Sequence, residues 1–346
     1  MNILLTGSAG FIGGYLSKAL MNEGHTVTGI DICHDEQQSS LCNFFISDIR
    51  DKSILRRAMK GVDLIIHLAA KLEDFGISRE EFFAINEGGT KNILDVASES
   101  GVKRFIFYSS VAVYGPGGAD ESAKPLPIDD YGRTKLASEE AVKAWVDEDD
   151  SRMALVIRPT VVFGAHNYAN VYRLMDAVIK RKFIWIGDGS NIKSLAYVEN
   201  LVAMNLFLLN RMKPGFEVFN YSDEPYMTTR QIVEKIAKYA HVPNPRLEIS
   251  LFIAKLGGVA MDLASNLAGV DLPMRSIRIR KFCAQTYYES NKVRQYGFKQ
   301  PVLLDEGLEK TVLWYLQIRE KNDTTINVTN KLSRKSPCEQ NEAIPP

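Results

Sequence analysis

The strongest constraint on this chain sits at its start, where the apolar run Asn2 to Thr6 meets Gly7-Ser8-Ala9-Gly10-Phe11-Ile12-Gly13 and then a helical pattern reaching Glu23. Glycines at that spacing permit a tight turn, let the backbone approach a pyrophosphate and pack helix on strand, while the helix N-terminus offers free N–H groups to the anion. A glycine triplet alone is common. Here a second strand, His25 to Asp31, closes on a carboxylate 18 residues beyond Gly13, where an acid accepts from the hydroxyls of an adenosine ribose. The same carboxylate repels a 2′-phosphate, so the pattern favours NAD over NADP.

Beyond this unit, short β-rich runs continue to alternate with longer helical patterns, which predicts an α/β fold: a Rossmann-type, doubly wound parallel sheet. The strands are read at Leu41 to Ser47, Leu64 to Leu68, Phe105 to Ser109 and Leu155 to Arg158, and the helices at Asp51 to Met59, Phe83 to Ser100 and Tyr131 to Val146. After about Gly164 the pattern loosens, with Pro and Gly at closer intervals. The expected organisation is an NAD-binding domain over 1–165 with a returning segment near 190–220, a smaller substrate domain over 166–189 and 221–320, and a polar, disordered tail over 321–346.

Composition narrows the classes. Lys plus Arg and Asp plus Glu both number 42, for a formal charge of zero, which argues against nucleic acid held by a global basic field. The cysteines Cys33, Cys42, Cys283 and Cys338 form no C-x-x-C pair and the histidines no H-x-x-x-H, so neither a redox dithiol nor a metal site is expected, and reduced thiols fit a cytoplasmic protein. No secretory n-region precedes the first strand and no run of 18 uninterrupted apolar residues follows.

Two further patterns bear chemistry. In Tyr131-Gly132-Arg133-Thr134-Lys135, a phenol and an ammonium lie on one helix face. A phenol titrates near pH ~10, and an adjacent cation favours its phenolate. The spacing arises often by chance, but the run Phe105 to Gly115 adds an apolar strand ending in hydroxyls, placed so that Ser110 and Tyr131 reach the same substrate oxygen.

With these residues the sequence resembles the extended short-chain dehydrogenase/reductase family, in its NAD-dependent epimerase/dehydratase branch, over about residues 1–318. The resemblance is carried by Gly7/Gly10/Gly13, Asp31, His67-Leu68-Ala69-Ala70, Asn86-Glu87-Gly88-Gly89-Thr90, Ser109-Ser110, Val113-Tyr114-Gly115, Tyr131/Lys135, Arg158-Pro159 and Gly187-Asp188-Gly189-Ser190. It implies that Tyr131 is the general base, that Lys135 holds the nicotinamide ribose and lowers the pKa of Tyr131, and that Ser110 positions the reacting hydroxyl. The implied cofactor set adds Phe11, Ile12, Asp48, Ile49, Leu68 and Ala69. Asp48 either accepts from the adenine amino group or closes a strand-end turn. Asn86 is a substrate-side asparagine or a buried amide bracing two loops; His67 reads as a core histidine; His166 is a second proton carrier or a loop hydrogen-bonding group. A homodimer is implied by analogy alone.

The reaction narrows further. Sugar 4,6-dehydratases of the family carry an acid pair before Val-Tyr-Gly and its reducing epimerases a cysteine near it, whereas this chain has Ser110-Val111-Ala112. What remains is oxidation of a hydroxyl with or without hydride return, and a 4-epimerase fits: C4 is oxidised, the 4-keto sugar turns over, and the hydride returns to the opposite face. Val161 replaces the asparagine of nucleotide-sugar epimerases, and Lys281-Phe282-Cys283-Ala284 stands where their nucleotide element belongs. Lys193 occupies the place of the family's phosphate-binding cation, so a diphospho-sugar is expected. The Ser110, Arg158, Asn170, Lys193 and Lys281 segments resemble bacterial epimerases acting on undecaprenyl-diphosphate-linked N-acetylglucosamine for surface polysaccharide. A UDP-glucose or UDP-N-acetylglucosamine 4-epimerase and a hydroxysteroid-type NAD-dependent dehydrogenase are the alternatives. Leu251 to Ala268 carries an apolar stripe, with Arg275, Arg278, Arg280 and Lys281 after it. A core helix is the commoner use of such a stripe; a lipid-facing helix at the cytoplasmic face of the membrane is the other.

Overall fold

The computed structural model describes residues 1–33, 43–72, 77–115, 117–268, 279 and 282–326. The first strands and helices are β1 (Asn2–Thr6), α1 (Phe11–Asn22), β2 (Thr26–Asp31), β3 (Asn43–Ile46), α2 (Lys52–Ala58), β4 (Leu64–His67), α3 (Arg79–Phe83), α4 (Gly89–Glu99) and β5 (Arg104–Tyr108). They continue with β6 (Gly117–Ala119), α5 (Asp130–Asp147), β7 (Met153–Pro159), β8 (Val161–Phe163), α6 (Asn170–Ile179), β9 (Trp185–Ile186), β10 (Ile192–Lys193), β11 (Leu195–Tyr197), α7 (Val198–Leu209) and β12 (Gly215–Tyr221). The main sheet has seven strands in the order β12-β7-β5-β4-β1-β2-β3, all pairs parallel. The order reverses between β1 and β4, which opens a ligand crevice at their carboxyl ends.

Parallel strands covered on both sides must be apolar on both, and the alternation shows how the two cores divide. Ile3, Leu5, Ile66, Ile106 and Tyr108 meet Leu16 and Leu20 of α1 and Leu201, Leu208 and Leu209 of α7. Leu4, Ile65, Phe105 and Phe107 face the other way, onto Leu55, Ile93, Val142 and Trp145 of α2, α4 and α5. A further core forms where α6 and the helix α8 (Thr229–Tyr239) pack with the Leu304–Ile326 helix around Met175, Trp185, Ile232, Ile236, Leu308 and Val312. A smaller sheet ordered β13-β10-β15-β6 joins β13 (Met227–Thr228) and β15 (Thr286–Tyr288) to the strand that follows the Tyr114 turn.

Three expectations change. The continuous helix read over Phe83 to Ser100 is interrupted by a π-helical turn at Ala84–Gly88, which holds Asn86 buried. The tail does not begin at 321, because the final helix runs to Ile326, and the rest of the tail lies outside the described residues. Nor are all thiols reduced: Cys33 is disulfide-bonded, while Cys283 is free. Among the described residues no helix is long and apolar enough to cross a membrane, and no cluster of His, Cys, Asp or Glu could hold a metal ion.

His67, at the end of β4, is fully buried between the hydroxyls of Thr6 (2.7 Å) and Thr90 (3.0 Å), and burial, followed by the charge of Lys135, lowers its pKa from 6.5 to about 3. Between those values the unfolded chain binds the extra proton, so stability should fall as pH drops from 6.5 toward 3, by at most about 1.4 kcal/mol per pH unit. Urea midpoints across that window should show a shallower slope for His67→Gln than for the wild type. Equal slopes would place the acid sensitivity elsewhere.

Candidate active site

At the β1 turn, a Cβ added to Gly13 would lie 2.2 Å from the carbonyl of Gly7, so only glycine lets α1 enter this close to the strand. The helix starts with Gly10 at its cap, no side-chain cap hydrogen bond and no acid in its first turn, leaving its N–H groups to an external anion. Phe11 and Ile12 begin that turn, and the Leu68–Ala69 backbone runs against Gly7. Asp31 is buried, and its carboxylate accepts from the backbone N–H of Ala9 (2.9 Å) and Cys33 (3.2 Å); burial raises its pKa, and these hydrogen bonds oppose the rise. The acid is thus tied to the glycine loop.

Two members of the expected cofactor set turn out otherwise engaged. Asp48 grips Arg50 through both carboxylate oxygens, at 2.7 to 3.0 Å, and accepts its backbone N–H, so the turn role accounts for its contacts. Ile49 has its side chain in the core, 5% exposed.

The chemistry-bearing side chains meet at the carboxyl ends of β5 and α5's first turns. Ser110 opens a 3-10 turn (Val111–Tyr114), its Oγ accepting from the N–H of Ala112 at 3.1 Å and sharing a hydrogen bond with the Tyr131 hydroxyl. Asp129 caps α5 by accepting from Gly132 N–H at 2.9 Å. A Cβ on Gly132 would sit 2.5 Å from the Ala112 carbonyl, so the glycine lets the helix press against the Ser110 turn. One turn on, the Lys135 ammonium donates to the Tyr108 carbonyl at 2.8 Å and lies 4.9 Å from the Phe107 ring centroid and 5.9 Å from that of Tyr131. Burial pushes Tyr131 up to about 12, against the Ser110 hydrogen bond and with the Asp129 charge, and pulls Lys135 down to about 7, against the Glu139 charge. The expected lowering of the Tyr131 pKa by Lys135 does not appear: the groups acting on Tyr131 are burial, Ser110 and Asp129, and burial is the largest.

Asn86 spends its amide inside the protein, accepting from Lys71 N–H (2.8 Å) and donating to the Lys71 carbonyl (3.1 Å) and the Thr134 hydroxyl (3.1 Å). Its substrate-binding expectation gives way to a bracing one, since the side chain has no N–H left to offer. His166 packs its ring on Trp314, 5.3 Å between centroids. Lys193 lies on β10, where its Nζ donates to the Ala284 carbonyl at 2.7 Å and burial lowers its pKa to about 8. The sequence reading passed over Glu139, which forms a buried ion pair with Arg158 (2.8 Å to Nε); Arg158 in turn donates to the Tyr114 hydroxyl (2.6 Å), and that hydroxyl to Asn220 (2.9 Å). Its signal was the spacing: Glu139 is one helical turn beyond Lys135.

A dinucleotide fits this cleft by a separate observation. The buried hydroxyls of Ser8, Ser109 and Thr160 have no hydrogen-bond partner, and each follows the carboxyl end of a strand, β1, β5 or β7. Unpaired polar atoms gathered at that edge suit a polar ligand.

A model of the "NAD dependent epimerase/dehydratase family" matches residues 3–222. The chain belongs to that family. Its cofactor is accordingly NAD. It is 33% identical over 332 residues to the N-acetyl-alpha-D-glucosaminyl-diphospho-ditrans,octacis-undecaprenol 4-epimerase of Escherichia coli O157:H7, covering 94% of this chain and 98% of that protein. It is 27% identical to the mouse (Mus musculus) sterol-4-alpha-carboxylate 3-dehydrogenase, decarboxylating, over 91% of each. The fold matches that of a UDP-glucose 4-epimerase from Thermotoga maritima, with a TM-score of 0.74 at 22% identity, over 92% of this chain and all of that one.

Calorimetry should find NADP bound far more weakly than NAD, and Asp31→Ala should narrow the gap by removing the carboxylate that repels a 2′-phosphate. Equal affinities in the wild type would remove Asp31 from that role.

Proposed function

We propose that this protein is an NAD-dependent sugar 4-epimerase acting on a diphospho-linked N-acetylhexosamine carried by a polyprenyl chain, a precursor of surface polysaccharide, at the cytoplasmic face of a membrane. The observation that carries the reading is the Ser110–Tyr131–Lys135 constellation with Val111 and Ala112 beside it, in a chain that is alignable end to end with an undecaprenol-linked sugar epimerase. Neither Val111 nor Ala112 can move a proton, which speaks against dehydration.

Gly7, Gly10 and Gly13 with the bare N-terminus of α1 hold the cofactor's pyrophosphate, Asp31 its adenosine ribose, and Lys135 its nicotinamide ribose. When bound, NAD supplies the hydride acceptor and donor. The chain's residues handle the proton and the geometry. Tyr131 Oη takes the proton of the C4 hydroxyl, for which its pKa must come down from about 12, and the hydrogen bond from Ser110 already acts in that direction. Ser110 then steadies the C4 oxygen while the ketone turns over, and Tyr131 gives the proton back on the other face. Lys193 meets the diphosphate, exchanging the Ala284 carbonyl for an anion that restores the full charge of its ammonium.

Tyr131→Phe should abolish turnover while leaving NAD bound, and Ser110→Ala should lose roughly 10²-fold or more. Product analysis by NMR, with polyprenyl-diphosphate-linked N-acetylglucosamine and UDP-N-acetylglucosamine offered side by side, should show the galacto epimer forming on the lipid-linked sugar. Efficient turnover of the UDP-sugar alone would overturn the carrier. The likeness to the sterol dehydrogenase supports a second reading, in which NADH is released every cycle; net NAD reduction proportional to product would favour it.

A further inference from the structure

The helix α9 (Leu251–Ala268) follows β14 (Glu248–Ile249) and bears only two charged residues, Lys255 and Asp262, in its 18. The expectation of a core helix fails on its described residues. Phe252 is 71% exposed, Ile253 59%, Leu256 58% and Val259 63%, whereas Ala254 and Gly258 are buried against the rest of the fold. At 3.6 residues per turn, positions 254 and 258 share one face and 252, 253, 256 and 259 the opposite one. An ordinary surface helix turns its apolar stripe inward and its polar face to water. Over its described side chains this one packs through Ala254 and Gly258 and turns Phe252, Ile253, Leu256 and Val259 outward.

The place of the helix says what covers that face. The strand before it pairs with Trp185 and Ile186 on β9, the Ile186 carbonyl accepts from Cys283 (3.8 Å), and the next carbonyl, of Ala284, holds Lys193. Lys193 and Lys255 both act on the Cys283 thiol, offsetting part of the rise that burial imposes on it. Lys255 of α9 is thus a neighbour of the segment holding the proposed diphosphate cation. The sequence after α9 adds four cations and no acid between Pro273 and Phe282, which complements an anionic surface. A second copy is the poorer occupant: the 18 residues of α9 span about 27 Å at a helix width of about 10 Å. That footprint, even allowing for side-chain relief, is well short of the roughly 800 Å² per partner of a stable dimer.

We propose that α9 is a membrane-docking helix that lies in the interface of an anionic phospholipid bilayer, with Phe252, Ile253, Leu256 and Val259 among the acyl chains and Lys193 held at headgroup depth. The inference rests on the proposed lipid-borne substrate and says how the enzyme reaches it. The helix lies on the bilayer and does not span it.

Flotation of the full-length protein with vesicles of phosphatidylglycerol and phosphatidylethanolamine in equal parts tests it. The wild type should float, and Phe252→Ser/Leu256→Ser should float about tenfold less or weaker still. Both side chains are exposed, so the variant should keep its melting temperature. Val259→Asp gives an independent reading should the double variant fold poorly. On lipid-linked N-acetylglucosamine in these vesicles the variants should lose turnover in the same proportion and regain it in detergent micelles. A wild type that stays with the unbound protein, or variants that float equally well, would overturn the proposal. So would sedimentation showing a wild-type dimer that the variants dissociate, since the face would then meet a second copy. Flotation that depends on α9, with turnover confined to UDP-sugars, would uphold the docking helix and sink the carrier; turnover of the vesicle-borne sugar that is indifferent to the substitutions would do the reverse.

Discussion

A buried ion pair ties together the parts that must move as one. Glu139 and Arg158 are each almost without solvent, and their pairing joins α5, which bears Tyr131 and Lys135, to β7 of the main sheet. Arg158 goes on to Tyr114, in the turn that starts at Ser110, and Tyr114 to Asn220 on β12. The Tyr114 ring stacks on Tyr288 of β15 with 6.0 Å between centroids, and Tyr288 closes the circuit through the Gly115 carbonyl at 2.7 Å. Losing one partner of such a pair strands a charge in the interior, at about 3–5 kcal/mol, whereas replacing both by apolar groups often costs little. What the pair adds is therefore registry: α5 cannot slide relative to the Ser110 turn without breaking a hydrogen bond in a place where water cannot replace it.

That registry matters because the cleft's groups are poised against their own charges. Burial favours the neutral form of both groups, raising the pKa of Tyr131 and lowering that of Lys135. Glu139 opposes the discharge of Lys135 from one turn away, which links the ion pair to the ammonium. Among the described residues, Ser110 is the group that lowers the Tyr131 pKa. The Tyr108 carbonyl fixes the ammonium below the phenol ring.

The substrate side follows different physics. The seven strands and two cores place the NAD half of the cleft by packing alone, whereas Lys193 reaches its position through a strand only two residues long, pinned between β13 and β15. Short strands of this kind hold few ladder hydrogen bonds, so the Lys193 segment is held by far less backbone pairing than the main sheet.

The placement of the glycine turn, Asp31, Ser110, Tyr131 and Lys135 was legible in the sequence because each position is fixed locally: by a steric limit such as the approach of Gly13 to Gly7, or by a fixed offset along one helix or strand end. The parallel sheet was legible for the same reason, since strands buried on both faces must read as apolar runs. Tertiary structure decided the rest. Whether Asn86 faces substrate or braces Lys71 and Thr134 depends on a π-helical turn that no periodicity announces, and whether Asp48 meets a ligand or Arg50 depends on side chains free to choose either. The Leu251–Ala268 stripe shows the limit most plainly, for its apolar pattern reads the same facing a core or a lipid. Only packing, through Ala254 and Gly258, determined which side of that helix the protein covers and which it leaves outside.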